Sequence, residues 1–125
     1  MSRGLTDDEV AARVAADIAA SEDPADVRAR GLRWSPQRIR AELAALRRAL
    51  VPPEQVPFEV RDEAILITAG APDVRDYWVV AQEAEGTIVF FDEDEDEFGL
   101  AQLTRRGTRE TTGVRGELVD VYMAR

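Results

Sequence analysis

The chain has 125 residues, of which 45% are hydrophobic and 33% are charged, a composition typical of a folded globular protein. Its formal net charge of −9 opposes association with nucleic acids and anionic membranes. The sequence contains no Cys, no His and no Lys, so every basic side chain is an Arg. These absences exclude a disulfide framework, a thiolate zinc site, a Cys nucleophile and Schiff-base chemistry, and they remove the usual proton shuttle of neutral pH.

The preference for Arg over Lys, together with abundant Ala, Val, Asp and Glu, is typical of a bacterial genome of high GC content. The N-terminal segment lacks the apolar core of a signal peptide, and no apolar run reaches transmembrane length. We therefore expect a cytoplasmic protein without membrane association. Because no nucleophile elbow, phosphate loop or dinucleotide motif is present, we predict a protein that is not an enzyme, with no catalytic residues, no cofactor and no metal site.

The N-terminal part predicts two main helices and one short helix. The first helix should begin after Thr6, which can form a capping box with Glu9, and should end near residue 20. A short helix is expected within residues 23–31. The third helix should begin at Ser35 and end before the two prolines at 52–53, because its apolar residues recur at helical spacing. Those residues are Ile39, Leu43, Leu46 and Leu50.

From residue 58 onward the pattern predicts strands. Residues 77–82 and 87–91 should form a hairpin that is apolar on both faces, as in central strands that are covered twice. Two helices can cover only one face, so the other face requires a further element or a second copy of the chain, which makes a homodimer one prediction. The remaining expectations are strands at 58–60, 64–69 and 117–123, a return to the core at 98–103, a connector at 52–57 and a polar loop at 104–116.

These elements predict a single α+β domain spanning residues 1–125, with a helical part at about 5–51 and a sheet part at about 57–124. The N-terminal helices, two main and one short, should pack on a four- or five-stranded, mainly antiparallel sheet.

The acidic residues are concentrated in the predicted sheet. Residues 58–104 carry two Arg and thirteen acids, whereas residues 1–57 carry nine of each. Six consecutive carboxylates follow the hairpin, and we call them the acidic run: Asp92, Glu93, Asp94, Glu95, Asp96 and Glu97. The run begins like a calcium-binding loop, but Glu97 and Leu103 occupy the positions that require Gly and Glu, so the pattern fails.

Three interpretations of the acidic run remain open. It can be a solvated loop that protects a sheet edge, or the protein's own arginines can neutralise it, among them Arg105, Arg106, Arg109 or those of the third helix. It can also be a docking surface for a basic protein partner, whose association would depend on salt. We prefer the last interpretation, a non-enzymatic protein-binding module of the inhibitor or immunity type.

The alternative function is nucleic-acid binding by a winged-helix-like protein. Residues 28–48 carry seven Arg and one acid, and the third helix precedes a hairpin as in a winged helix. Gln37, Arg38 and Arg40 would then face the bases, with Arg33 on a phosphate. The hairpin argues against this function, because a wing contacts the DNA backbone and this one leads into the acidic run.

Overall fold

The computed structural model describes residues 4–23, 25, 27, 34–60 and 73–125. Its elements, numbered here in chain order, are α1 (Asp7–Ala20), α2 (Pro36–Ala49), β1 (Leu50–Val60), β2 (Asp73–Gln82), β3 (Thr87–Asp92), β4 (Glu97–Leu103), β5 (Arg109–Gly116) and α3 (Leu118–Met123). The prediction of an α+β fold with helices on a mainly antiparallel sheet is confirmed, and the strands number five. Arg33 and the strand predicted at 64–69 lie outside the described residues, as does most of the predicted short helix.

Both main helices begin where the sequence predicts. The Thr6 hydroxyl accepts a hydrogen bond from the Glu9 N–H (3.2 Å), and the Glu9 carboxylate accepts one from the Thr6 N–H (3.1 Å), so the capping box of α1 is complete. At the start of α2, the Ser35 hydroxyl accepts from the Arg38 N–H at 3.1 Å. These caps satisfy backbone donors that have no partner inside the helix.

The five strands form a closed barrel in the order β1-β2-β3-β4-β5. Strands adjacent in sequence pair antiparallel, and a parallel bridge between Glu59 and Glu110 joins β5 back to β1. In the hairpin of β3 and β4, Asp92 lies opposite Glu97 as the last pair. The acidic run therefore contains the four-residue turn between these strands together with the strand residue on each side of it.

Closure of the barrel explains why the hairpin of β2 and β3 is apolar on both faces. One face fills the barrel interior with Phe58, Val60, Tyr77, Val79, Ile88, Phe90 and Ala101. The other face, which includes Trp78, Val80 and Phe91, packs with buried side chains of all three helices. Both faces are thus covered within one chain, so the homodimer prediction loses the observation that motivated it.

Three predictions about individual segments are wrong. Residues 52–57 belong to β1, where a register shift between Leu50 and Glu54 accommodates the two prolines that cannot donate to the ladder. Most of the predicted polar loop forms β5. The final segment is the helix α3, not a strand, and its buried residues Leu118, Val121 and Tyr122 have the three- and four-residue spacing of one helix face.

The last residue ties α3 to α2 and to the turn between β2 and β3. Arg125 bonds the carboxylates of Glu42 and Glu83, each at 2.6 Å, and its guanidinium lies 3.9 Å from the centre of the Tyr122 ring. The side chain of Glu42, the one acid of α2, therefore points toward the body of the protein.

None of the helices in the described part of the chain combines the length and the apolar character that a membrane span requires.

Candidate functional site

Asp92 is the buried anchor of the acidic run, with 4% of its surface exposed. Its Oδ2 accepts a hydrogen bond from Arg115 Nη1 at 2.8 Å, while Oδ1 accepts from the backbone N–H groups of Asp94 (3.1 Å) and Glu95 (3.2 Å). One oxygen thus binds a cation from β5, and the other fixes the backbone of the turn. Asp92 has a structural role in this arrangement.

Arg115 is the main cation of the site. Besides Asp92, its guanidinium donates to Glu97 Oε1 at 3.3 Å and to the Tyr77 hydroxyl at 3.0 Å. It also lies 5.4 Å from the ring centre of Tyr77 and 5.3 Å from that of Phe90, over two aromatic rings of the barrel interior. Burial opposes its charge, but the hydrogen bonds to Asp92 and Tyr77 outweigh burial and raise the pKa of Arg115.

Glu93 connects the turn to α1 and β2. Its Oε1 accepts a hydrogen bond from Trp78 Nε1 and its Oε2 accepts one from the Leu5 N–H, both at 3.1 Å. The carboxylate therefore satisfies an indole donor and a backbone donor that precedes α1. This side chain holds the N-terminal segment against the barrel.

Asp96 closes the turn and pairs with α1. It adopts the left-handed backbone conformation (φ 53°), and its carboxylate accepts a hydrogen bond from Arg13 Nη1. Arg13 also bonds Asp17 at 3.2 Å and lies 5.4 Å from the ring centre of Phe91. The hydrogen bond to Asp96 is the main cause that raises the pKa of Arg13.

Asp94, Glu95 and Asp96 are the exposed members of the run, and of these Asp96 is paired with Arg13, which leaves Asp94 and Glu95. In the described part of the chain, neither carboxylate makes a hydrogen bond or an ion pair. They border a groove of about 420 Å³ that residues from the middle of β1 and the first half of β2 also line. Its lining residues are Gln55, Arg75, Asp76, Tyr77, Asp92, Asp94 and Glu95.

The basic side chains predicted to face the acidic run have other positions. No ion pair between described residues joins the run to α2, to Arg105 or to Arg109, and Arg106 lies 3.8 Å from Glu59 and from Glu110. Gln37, Arg38 and Arg40 are exposed on α2. The hairpin that would be the wing forms β2 and β3 of the barrel. Nucleic-acid binding therefore stays a prediction that rests on α2 alone.

The sequence did not identify the two arginines that pair with Asp92, Asp96 and Glu97. Arg115 lies in the segment that the sequence predicts as a polar loop, and only the pairing of β4 with β5, which sets Arg115 opposite Gly99, brings it near Glu97. Arg13 lies next to the apolar stripe of α1, a position that predicts contact with the core but not with a particular acid. Within the described residues, no group of three or more carboxylates is arranged to hold a metal ion.

No protein-family model, curated protein or solved structure matches this chain.

Proposed function

We propose that this protein is a non-enzymatic, cytoplasmic protein-binding module. It engages a basic partner through Asp94 and Glu95, which we call the exposed tip of the acidic run. An inhibitor or immunity-type role is one instance of such a module. The observation that carries the proposal is the division of the run into two parts. Asp92, Glu93, Asp96 and Glu97 bind groups of their own chain, whereas Asp94 and Glu95 point outward without a described partner.

The four acids that bind groups of their own chain support this proposal because they hold the tip in one conformation. The hydrogen bonds from the N–H groups of Asp94 and Glu95 to Asp92 fix the backbone that carries the two free carboxylates. A partner would therefore meet carboxylates whose backbone is already ordered, and less conformational entropy would be lost on binding.

The groove beside the tip fits a guanidinium or ammonium group. Arg75 within it is bonded to Asp73 at 2.7 Å, and Asp92 is neutralised by Arg115. The exposed carboxylates of Asp76, Asp94 and Glu95 then dominate the charge of its lining. We infer that the partner inserts an Arg or Lys side chain here, where opposite charge accelerates association and fixes its orientation.

The test is a capture experiment with the immobilised protein and an extract of the cells that produce it. The variant D94N/E95Q removes both free charges and leaves the four structural acids in place. We expect a basic protein that the parent retains at about 50 mM salt, that is released at about 500 mM, and that D94N/E95Q retains at least about tenfold less.

The control variant is E54Q/E85Q, which removes two exposed acids that do not line the groove. It should retain the partner as the parent does, because total charge alone is not the recognition element. Equal retention by D94N/E95Q and the parent would contradict the proposal, and equal loss in both variants would show that only the net charge matters.

A further inference from the structure

The outward face of α2 carries concentrated positive charge, the opposite of the charge at the acidic tip. It carries four exposed arginines, Arg38, Arg40, Arg47 and Arg48. At 3.6 residues per turn, Arg40 and Arg47 lie on one flank of this side and Arg38 lies on the opposite flank. Arg47 pairs with Glu22 at 2.9 Å, but 45% and 61% of the two side chains are exposed, so the pair is weakly held. Arg40 and Arg48 make no ion pair with any described residue. We call these four arginines the basic face.

The one acid of α2, Glu42, is half-buried and is bound by Arg125 at 2.6 Å. The exposed side of the helix is therefore predominantly positive. Arg38 stacks on Trp34, with its guanidinium 4.0 Å from the ring centre. This contact holds one arginine at the start of the helix while leaving its donors exposed.

We propose that the basic face of α2 binds the phosphate backbone of duplex DNA, with the helix lying in the major groove. A stable protein interface usually needs an aromatic or aliphatic anchor at its centre, and the centre of this face holds Gln37, Ala41 and Arg48. Insertion into a membrane surface needs large apolar side chains, which are absent there too. Phosphate binding needs only cations and hydrogen-bond donors.

The shape of the helix favours B-form DNA over duplex RNA. A helix with its side chains is about 10–12 Å across, and the major groove of B-DNA is about 12 Å wide, whereas that of A-form RNA is deep and narrow. The small side chains of Ala41 and Ala44 allow close approach of the helix backbone to the groove.

The net charge of −9 weakens this binding without abolishing it. Free charges more than about 8–10 Å apart are largely screened at physiological salt. The acidic run is also not compensated by α2; its cations are Arg115 and Arg13. Arg40 and Arg48, which pair with no acid in the described part of the chain, therefore stay available to an external anion.

The experiment measures binding of the full chain to a fluorescent 20-base-pair DNA duplex by anisotropy, from about 20 to about 200 mM salt. With four phosphate contacts, the affinity should fall about 150-fold between 50 and 200 mM salt. In R40Q/R48Q, which keeps the other two arginines, the fall should be only about 12-fold. The control R105Q/R106Q removes two exposed arginines from the β4–β5 turn and should behave as the parent does.

Circular dichroism and melting curves of each variant verify that it is folded before binding is compared. Absence of DNA binding at about 20 mM salt, or equal salt dependence of R40Q/R48Q and the parent, would overturn the proposal. Equal affinity for an RNA duplex would overturn the major-groove placement. Equal affinity for a poly-glutamate chain would show that the face binds any polyanion, and would overturn specific recognition of DNA.

Discussion

The acidic run and the basic face are both defined by concentrated charge, yet the fold treats them in opposite ways. Four of the six acids bind groups of their own chain, and the most buried of them, Asp92, has the most contacts. Of the four arginines of the basic face, only Arg47 has an ion-pair partner among the described residues, and that pair is largely exposed. A high charge density in sequence therefore locates the charge without showing whether the protein itself neutralises it.

The difference follows from the elements that carry the two charge clusters. In a helix with one apolar stripe, the remaining positions necessarily point to solvent, so the exposure of Arg40 and Arg48 follows from the periodicity. In a tight turn between two strands, consecutive side chains point in different directions. The acidic run accordingly meets β5, β2 and α1 in turn, and each neighbour supplies a donor.

Removal of Arg115 should have the largest effect on stability. In R115M, the carboxylate of Asp92 remains buried without its cation, and we expect a loss of about 3 kcal/mol in the free energy of unfolding. Chemical denaturation measures this loss. Adding D92N should recover part of it, because Asn keeps the oxygen that fixes the turn and carries no charge. A loss below about 1 kcal/mol in R115M would mean that the acidic run does not depend on this arginine.

An intermediate effect is expected at Glu93. The variant E93Q retains one acceptor oxygen for the two donors of Trp78 and Leu5, so it should lose about 1–2 kcal/mol of stability. Its Trp fluorescence should change as well, because the indole loses its charged partner. The matched control is E95Q, which removes the charge of an exposed side chain and should leave both measurements unchanged. If both variants behave alike, Glu93 belongs with the exposed tip.

The smallest effect is expected at Asp96, whose ion pair with Arg13 lies at the surface. The variant D96N should change stability by less than about 1 kcal/mol, since exposed ion pairs contribute little and Asn tolerates the left-handed backbone conformation. D96A should cost about 1 kcal/mol more, because Ala does not tolerate it. Equal stability of the two variants by thermal melting would show that the backbone conformation at this position is unimportant.

The sequence was most informative where structure depends on neighbours along the chain. The caps at Thr6 and Ser35 and the turn at 83–86 lie where local hydrogen bonding predicts them. It was least informative from residue 104 onward. There, β5 has few apolar residues because its stability comes from pairing with β4, and a short apolar run such as 118–123 suits either a strand or a helix.

The sequence by itself determined the helix starts, the doubly apolar hairpin, the position of the acidic run and the outward direction of the α2 arginines. Only the tertiary structure decided that the sheet closes into a barrel, that Arg115 and Arg13 pair with three acids of the run, and that Asp94 and Glu95 remain exposed. The physical reason is the range of the interactions. Caps and periodicity are set by residues within a few positions of each other, whereas strand pairing brings together Asp92 and Arg115, which lie 23 residues apart.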